Sequence, residues 1–200
     1  PEDGLSIALR YCFDKRYFLS YNQFCKIFSH GVREMYKREE SCCFTGHRPS
    51  RLPWGDWESD PRCLELKYEL AQNLEQLYAR GYRHFICGMA IGCDMYFAEA
   101  VLELREIHPD VSLEAAVPCS SQADEWKEEQ RLRYRELLSR CDSRHLVQDK
   151  YSPGCMQRRN KYMVDHSSLL LACFAGLPGG TMNTILYARR SGVETLIISI

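Results

Sequence analysis

From Cys42 onward, short apolar runs rich in β-formers alternate with longer amphipathic segments, and this alternation restricts the fold more than any other feature. The runs are Cys42–Thr45, His84–Cys87, Ser112–Val117, Ser143–Val147, Ser168–Phe174 and Glu194–Ile200. Helical spacing of apolar residues marks the segments between them. The first runs from about Arg62 to Arg80, with Gly81 as its C-cap, and a second follows Asp94 and stops before Pro109. Three more are expected over Gln122–Arg140, Met156–Asp165 and Thr181–Arg190. Strands separated by helices pair in parallel, and right-handed crossovers place helices on both faces of the sheet. The expected fold class is therefore α/β, a Rossmann-like three-layer α/β/α arrangement with a mainly parallel sheet. Such a sheet gathers the C-terminal ends of its strands, and so the loops after Thr45, Cys87, Val117 and Phe174, at one edge.

Residues 1–40 read differently. Helical spacing over Leu5–Phe13 and Tyr21–Tyr36, with Ser20 as a cap for the second, predicts two helices. The charged stretch Lys37-Arg38-Glu39-Glu40 follows. This divides the chain into a helical N-terminal extension (1–40) and an α/β domain (41–200). A helix-turn-helix fragment is disfavoured by the nearly balanced charge and the lack of a recognition helix. Packing on the main domain, or a dimer contact, is the preferred reading.

The formal net charge is −1, which gives no general attraction to nucleic acid or acidic membranes. No apolar run approaches a membrane span and no signal peptide is visible, so a cytoplasmic, non-membrane protein is expected. Of the 11 cysteines, several sit inside apolar strand-like runs. There is no C-x-x-C and no Cys/His pair at zinc spacing, which points to free thiols and no metal; no cofactor is expected.

Three glycine-bearing loops meet at the expected strand-end edge. The first is Thr45-Gly46-His47-Arg48-Pro49, where Gly46 allows close backbone approach and His47 and Arg48 can bond an anion. The second, Gly88-Met89-Ala90-Ile91-Gly92-Cys93-Asp94, opens a helix whose free N–H groups favour negative charge. The third is Gly176-Leu177-Pro178-Gly179-Gly180-Thr181, with Thr181 placed to cap a helix or bond a phosphate. None matches G-x-G-x-x-G or the P-loop pattern, which disfavours an ordinary NAD dehydrogenase or P-loop NTPase. The helix over Met156–Asp165 adds cations. Arg159 and Asn160 are its candidates for the pocket, and Arg158 and Lys161 are expected in solvent. Asp94 and Glu99 are candidates for a ribose contact or for acid/base work, with Asp94 equally readable as a helix N-cap. Trp126 and Tyr134 can stack on a base, although packing is the commoner fate of such residues. His145 and His166 read as structural.

Taken together, Cys43-Phe44-Thr45-Gly46-His47-Arg48-Pro49, Phe85 to Asp94 with Ala98-Glu99, Pro118-Cys119, the Trp126 segment, Tyr151, Cys155-Met156, Arg159 to Asp165 and Gly179-Gly180-Thr181 resemble the YpsA-like family of the SLOG superfamily. That superfamily also contains DprA and the "lonely guy" phosphoribohydrolases. The resemblance spans Cys42 to Ile200 and leaves residues 1–41 outside. It implies a Rossmann-like fold, a homodimer, and a nucleotide or other phosphorylated small molecule held by Gly46, His47, Arg48, Gly88, Ala90, Gly92, Asp94, Arg159, Asn160, Gly179, Gly180 and Thr181.

The hydrolase branch carries Met-His-x-Arg-Lys and Pro-Gly-Gly-x-Gly-Thr-x-x-Glu. Here the first reads Met156-Gln157-Arg158-Arg159-Asn160, so Arg159 matches the arginine and Asn160 replaces the lysine. Thr184 stands where the glutamate would be. Cleaving a ribosyl–base bond needs a carboxylate, which threonine does not supply. Binding or sensing of a nucleotide-derived ligand is therefore the leading expectation. One alternative is hydrolysis of the N-glycosidic bond of a nucleoside monophosphate, with Arg159 on the phosphate and Asp94 or Glu99 as the acid/base. The other is a DprA-like nucleic-acid adapter, disfavoured by the near-neutral charge.

Overall fold

Strand β1 (Ser41–Thr45) is buried along its whole length, as a central parallel strand covered on both faces must be. The computed structural model describes residues 36–200, so the two helices expected over Leu5–Phe13 and Tyr21–Tyr36 lie outside the described residues apart from Tyr36. Contacts to the α/β domain begin within the stretch assigned to the extension: Tyr36 stacks on His84 at 3.9 Å, and Arg38 Nε donates to the carbonyl of Asp165.

The remaining strands are β2 (His84–Cys87), β3 (Ser112–Val117), β4 (Ser143–Leu146), β5 (Leu169–Phe174) and β6 (Glu194–Ser199). All pair in parallel, in the spatial order β4-β3-β2-β1-β5-β6. The chain steps outward from β1 to β4, then returns to lay β5 against the other side of β1, with Thr45 opposite Ala172. The gap between β1 and β5 is thus the topological switch point.

The helices are α1 (Pro61–Ala79), α2 (Cys93–Ile107), α3 (Glu128–Arg140), α4 (Cys155–Asp165) and α5 (Gly180–Arg190). On one face, Leu66, Leu70, Leu74 and Leu77 of α1 and Phe97 and Val101 of α2 pack on Phe44, Phe85, Leu113 and Leu171. On the other, Met163 and Val164 of α4 and Ile185 and Ala188 of α5 pack on Cys43, Ile86, Leu170 and Ala172. Adjacent strand residues therefore face opposite layers, as the two-residue period of a strand requires. Each fully buried leucine contributes about 2 kcal/mol by transfer from water. Helix α1 starts where Asp60 accepts a hydrogen bond from the Arg62 N–H at 2.9 Å and Pro61 occupies the first turn.

One boundary differs from expectation. The helix expected over Gln122–Arg140 begins at Glu128. Residues 119–126 instead form successive tight turns, with N–H groups of Gln122, Asp124 and Trp126 bonded three residues back. Trp126 meets Tyr134 edge-on at 5.3 Å and packs against the core. Among the described residues no helix is long and apolar enough to cross a membrane, and all nine cysteines are free thiols.

Candidate functional site

Helix α1, which follows β1, lies on one face of the sheet, and α5, which follows β5, lies on the other. The two connections diverge and leave a cavity of about 200 Å³ at the switch point. Thr45 to Arg48, Ser50 and Arg51 form one wall. Ala90 and Asp94 form a second, Met156, Arg159, Asn160 and Met163 of α4 a third, and Gly180 and Thr181 a fourth. The N-terminal turns of α2 and α5 both contribute, so two helix dipoles favour an anion there.

The first glycine loop is stitched to the other two. A Cβ on Gly46 would lie 2.3 Å from Cys93 Cβ, so only glycine lets α2 start against this strand end. The Cys93 N–H donates to the carbonyl of His47 at 3.2 Å, and Thr181 Oγ1 donates to that of Gly46 at 3.1 Å. His47 Nε2 accepts from the Ala175 N–H at 3.1 Å, and its ring stacks on Phe174. Burial, and secondarily the Arg51 charge, hold the His47 pKa below its ordinary value. The ring is therefore neutral with its proton on Nδ1, and it pins two loops as well as lining the cavity. Arg48 and Arg51 are exposed at the rim, and Arg51 Nη1 reaches the carbonyl of Pro178 in the third loop.

The second loop turns through Met89 at φ +56°, a left-handed conformation that is strained for a side chain of this size. The Gln122 amide holds it there, donating to the carbonyls of Gly88 and Met89 at 3.3 and 2.7 Å. Gly92 is the N-cap of α2, at φ +91°, and a Cβ there would lie 2.8 Å from the His47 carbonyl oxygen. Asp94 is thus not the cap. Its Oδ2 accepts from the Ala90 N–H at 3.2 Å and closes the loop from within the first turn.

Arg159 is the deepest charge in the cavity, with a side chain 7% exposed beside the 8% exposed Asp94. Its guanidinium occupies the space beside Gly88, where a Cβ would come within 1.4 Å of Nη1. Nη1 and Asp94 Oδ2 are 3.6 Å apart, too far for a hydrogen bond. Nε and Nη1 are enclosed and have no hydrogen-bond partner. Burial pushes the Asp94 carboxyl up, against the pull of Arg159, and burial likewise pushes Arg159 down from its ordinary value. Arg158 is exposed and bonded to Gln148 and Ser152, and Lys161 sits over the Tyr187 ring at 4.9 Å.

Glu99 does not join the cavity lining. Five residues after Asp94, it sits about 140° around the helix, and Arg133 holds its carboxylate at 2.6 and 2.7 Å. Gly88, Gly92 and Gly179 shape the cavity from behind rather than line it. Gly179, at φ +153°, leaves room for the Arg51 guanidinium. Sequence reasoning missed Phe44, Ser50, Arg51, Met156, Met163 and Gln122. Arg51 had a legible signal, as a second arginine within the loop leaving β1. Gln122 had none, because its partners lie more than thirty residues away.

A family model described as the YspA SLOG family, and named YpsA, matches residues 42–188. The chain belongs to this family. The prophage-derived protein YoqJ of Bacillus subtilis (strain 168) is 32% identical over 145 residues, covering 66% of this chain and 85% of that protein. A UPF0398 protein of Bacillus thuringiensis (strain Al Hakam) is 28% identical over 152 residues, covering 74% and 82%. Among solved structures, DNA processing protein A (DprA) from Streptococcus pneumoniae superposes with a TM-score of 0.55 at 14% identity, over 81% of this chain and 51% of that one. The Helicobacter pylori DprA, described for its single-stranded DNA binding mode, gives 0.56 at 15% identity, over 80% and 65%. The chain thus spans about half to two thirds of the DprA structures, and the likeness shows a shared fold.

Within this SLOG-family fold, the two positions that depart from the hydrolase pattern meet. Asn160 Nδ2 donates to Thr184 Oγ1 at 2.8 Å, and that hydroxyl donates to the Gly180 carbonyl at 2.9 Å. A second polar cluster lies outside the cavity. Glu114 accepts from Tyr162 Oη at 2.6 Å and pairs with His84 Nε2 at 3.2 Å, while His84 Nδ1 meets Ser112 Oγ at 2.9 Å. His145 stacks on the Tyr162 ring, and His166 lies tilted against it.

Proposed function

We propose that this chain binds or senses a nucleotide or nucleotide-derived ligand in the β1/β5 crevice, held by its phosphate. The observation that carries this reading is Arg159: a guanidinium more than nine-tenths buried, lining a cavity, with two nitrogens lacking any hydrogen-bond partner. Buried polar groups are ordinarily bonded, so a buried guanidinium with unbonded nitrogens in a concave site supports an anion from outside as its partner. The two converging helix starts and the Arg48 and Arg51 rim support the same reading.

Calorimetry and thermal-shift measurements with adenosine monophosphate, ADP-ribose and cyclic nucleotides test it. Binding is expected for at least one, weakened at least about tenfold by Arg159→Gln, equivalent to about 1.4 kcal/mol. If none of these ligands binds, the reading fails.

The DprA-like fold and the exposed rim arginines support a second reading, in which the anion is a single-stranded nucleic acid. A gel shift at low salt separates the two, since phosphate-backbone binding weakens steeply with salt. Hydrolysis is tested in the same samples by chromatographic detection of free base.

A further inference from the structure

Arg159 already has a charged neighbour, but an incomplete one. Asp94 is buried beside it, close enough for Coulomb attraction and 3.6 Å away, too far to hydrogen-bond. One carboxylate oxygen is committed to the Ala90 N–H. Both side chains line the cavity.

Resting on the binding reading above, we propose that Asp94 is the resident counter-ion of Arg159 and sets the charge the site accepts. A dianionic oxyanion, sulfate-like or phosphate-like, enters by taking over Arg159, and Asp94 takes up one proton from solvent as it does so.

The buried charges lead to this coupling. Of the guanidiniums lining the cavity, those of Arg48 and Arg51 are exposed at the rim, which leaves Arg159 as the buried cation beside the single carboxylate of Asp94. A dianion beside an ionised Asp94 would place like charges together in a low-dielectric site, and the usual resolution is that one of them protonates. Asp94 is the group set up to do so. The groups facing it are Arg159 from α4, Arg48 from the first loop, the N–H groups of Ala90 and Gly46, and the Cys87 and Cys173 thiols from β2 and β5. Arg159 in turn also faces Tyr134 of α3. None of these is a second carboxylate that would take the proton instead. Burial already biases Asp94 toward its neutral form.

Sulfate is the suitable probe, because it stays dianionic from about pH 5 to about pH 8 and takes up no proton itself, unlike Asp94. Calorimetric titration in two buffers of different ionisation heat measures protons bound per sulfate. The wild type is expected to take up close to one proton per sulfate wherever free Asp94 is ionised. Its affinity should fall by up to about tenfold per pH unit in that range, the limiting slope for one linked proton. Asp94→Asn is expected to bind sulfate at about pH 8 at least as tightly as the wild type does at about pH 5, with no proton uptake. Arg159→Gln is expected to abolish binding.

Sulfate binding that is independent of pH and takes up no proton would overturn the inference while leaving the binding reading intact. A folded Asp94→Asn variant that binds sulfate more weakly than the wild type would do the same. If neither sulfate nor any of the nucleotides binds the wild type at any pH, both fail together. The wild-type proton count needs no variant, so poor folding of the Asp94→Asn protein would not leave the question open.

Discussion

Gly88→Ala separates the site from the fold more cleanly than any other single change. Gly88 has no left-handed φ, so alanine meets no backbone penalty there. The whole effect is steric: the new methyl would sit 1.4 Å from Arg159 Nη1, 2.3 Å from its Cζ and 2.8 Å from Asp94 Oδ2. Every one of these atoms ends a side chain rather than belonging to the backbone, so the guanidinium can swing aside and the loop can stay. Overpacking of this kind costs about 1–3 kcal/mol, offset by about 0.4–1 kcal/mol from the stiffer unfolded chain. The net loss is at most about 2.6 kcal/mol, or roughly 5–10 °C in unfolding midpoint for a domain of this size.

The site is affected directly, because Arg159 loses the slot that aims it into the cavity. Nucleotide or sulfate binding should fall by at least about tenfold. Gly46→Ala is the contrasting control. Its methyl would meet Cys93 Cβ at 2.3 Å, an atom fixed by the start of α2, so the fold itself must give. Unfolding midpoints and calorimetric titrations of both variants decide the matter. A Gly88→Ala protein that binds like the wild type would refute the placement of Arg159 at the ligand, and one that fails to fold would refute the claim that its clash is soft.

Three further outcomes follow from other parts of the structure. His47→Gln keeps an acceptor for the Ala175 N–H but removes a group whose pKa is held below its ordinary 6.5. The neutral ring's contribution is complete above that value and is lost as pH falls below it, so melts across the acid range should show the variant losing less stability than the wild type. Parallel curves would refute it. For Glu114, burial pushes the carboxyl up, but hydrogen bonds from His84 and Tyr162 and attraction to His84 and His145 hold it below 4.5. Glu114→Gln should therefore cost about 1–3 kcal/mol at neutral pH, with the gap to wild type closing as pH falls below 4.5. An unchanged gap in acid would count against the pairing. Gln122→Leu removes the clamp on the strained Met89 turn and should cost about 1–3 kcal/mol in denaturant melts, with weaker ligand binding; unaltered binding would detach Gln122 from the site.

The layered fold was legible because it depends on local signals. Apolar runs and helical spacing repeat over short windows, and the glycines of the three loops mark where those windows end. Helix phase separated Arg159 from Arg158, since adjacent residues on a helix point about 100° apart. Phase also betrays Glu99, whose five-residue offset from Asp94 turns it toward Arg133. What could not be read locally was set by partners distant in sequence. The His47 tautomer depends on Ala175, and the late start of α3 on the carbonyls of Gly88 and Met89 that draw in Gln122. Tight turns before α3 carry helix-compatible residues, so composition there gave no warning.

The Asn160–Thr184 contact bears on whether the site cuts or only holds. In the hydrolase branch that this family resembles, a lysine and a glutamate occupy those positions. Here both are neutral, and each satisfies the other: Asn160 donates to Thr184, which donates to Gly180 at the start of α5. Of the residues lining the cavity, Asp94 is the one carboxylate, and a guanidinium 3.6 Å away already draws on its charge. The guanidinium offsets part of that carboxylate's field. If the contact couples the two positions, changing one alone should be costly. Thr184 is 2% exposed, so Thr184→Glu buries an unpaired charge and should cost about 3–5 kcal/mol. Adding Asn160→Lys should recover about 1–3 kcal/mol of that as a coupling energy in a double-mutant cycle. A coupling near zero would mean that the contact does not join the two positions energetically.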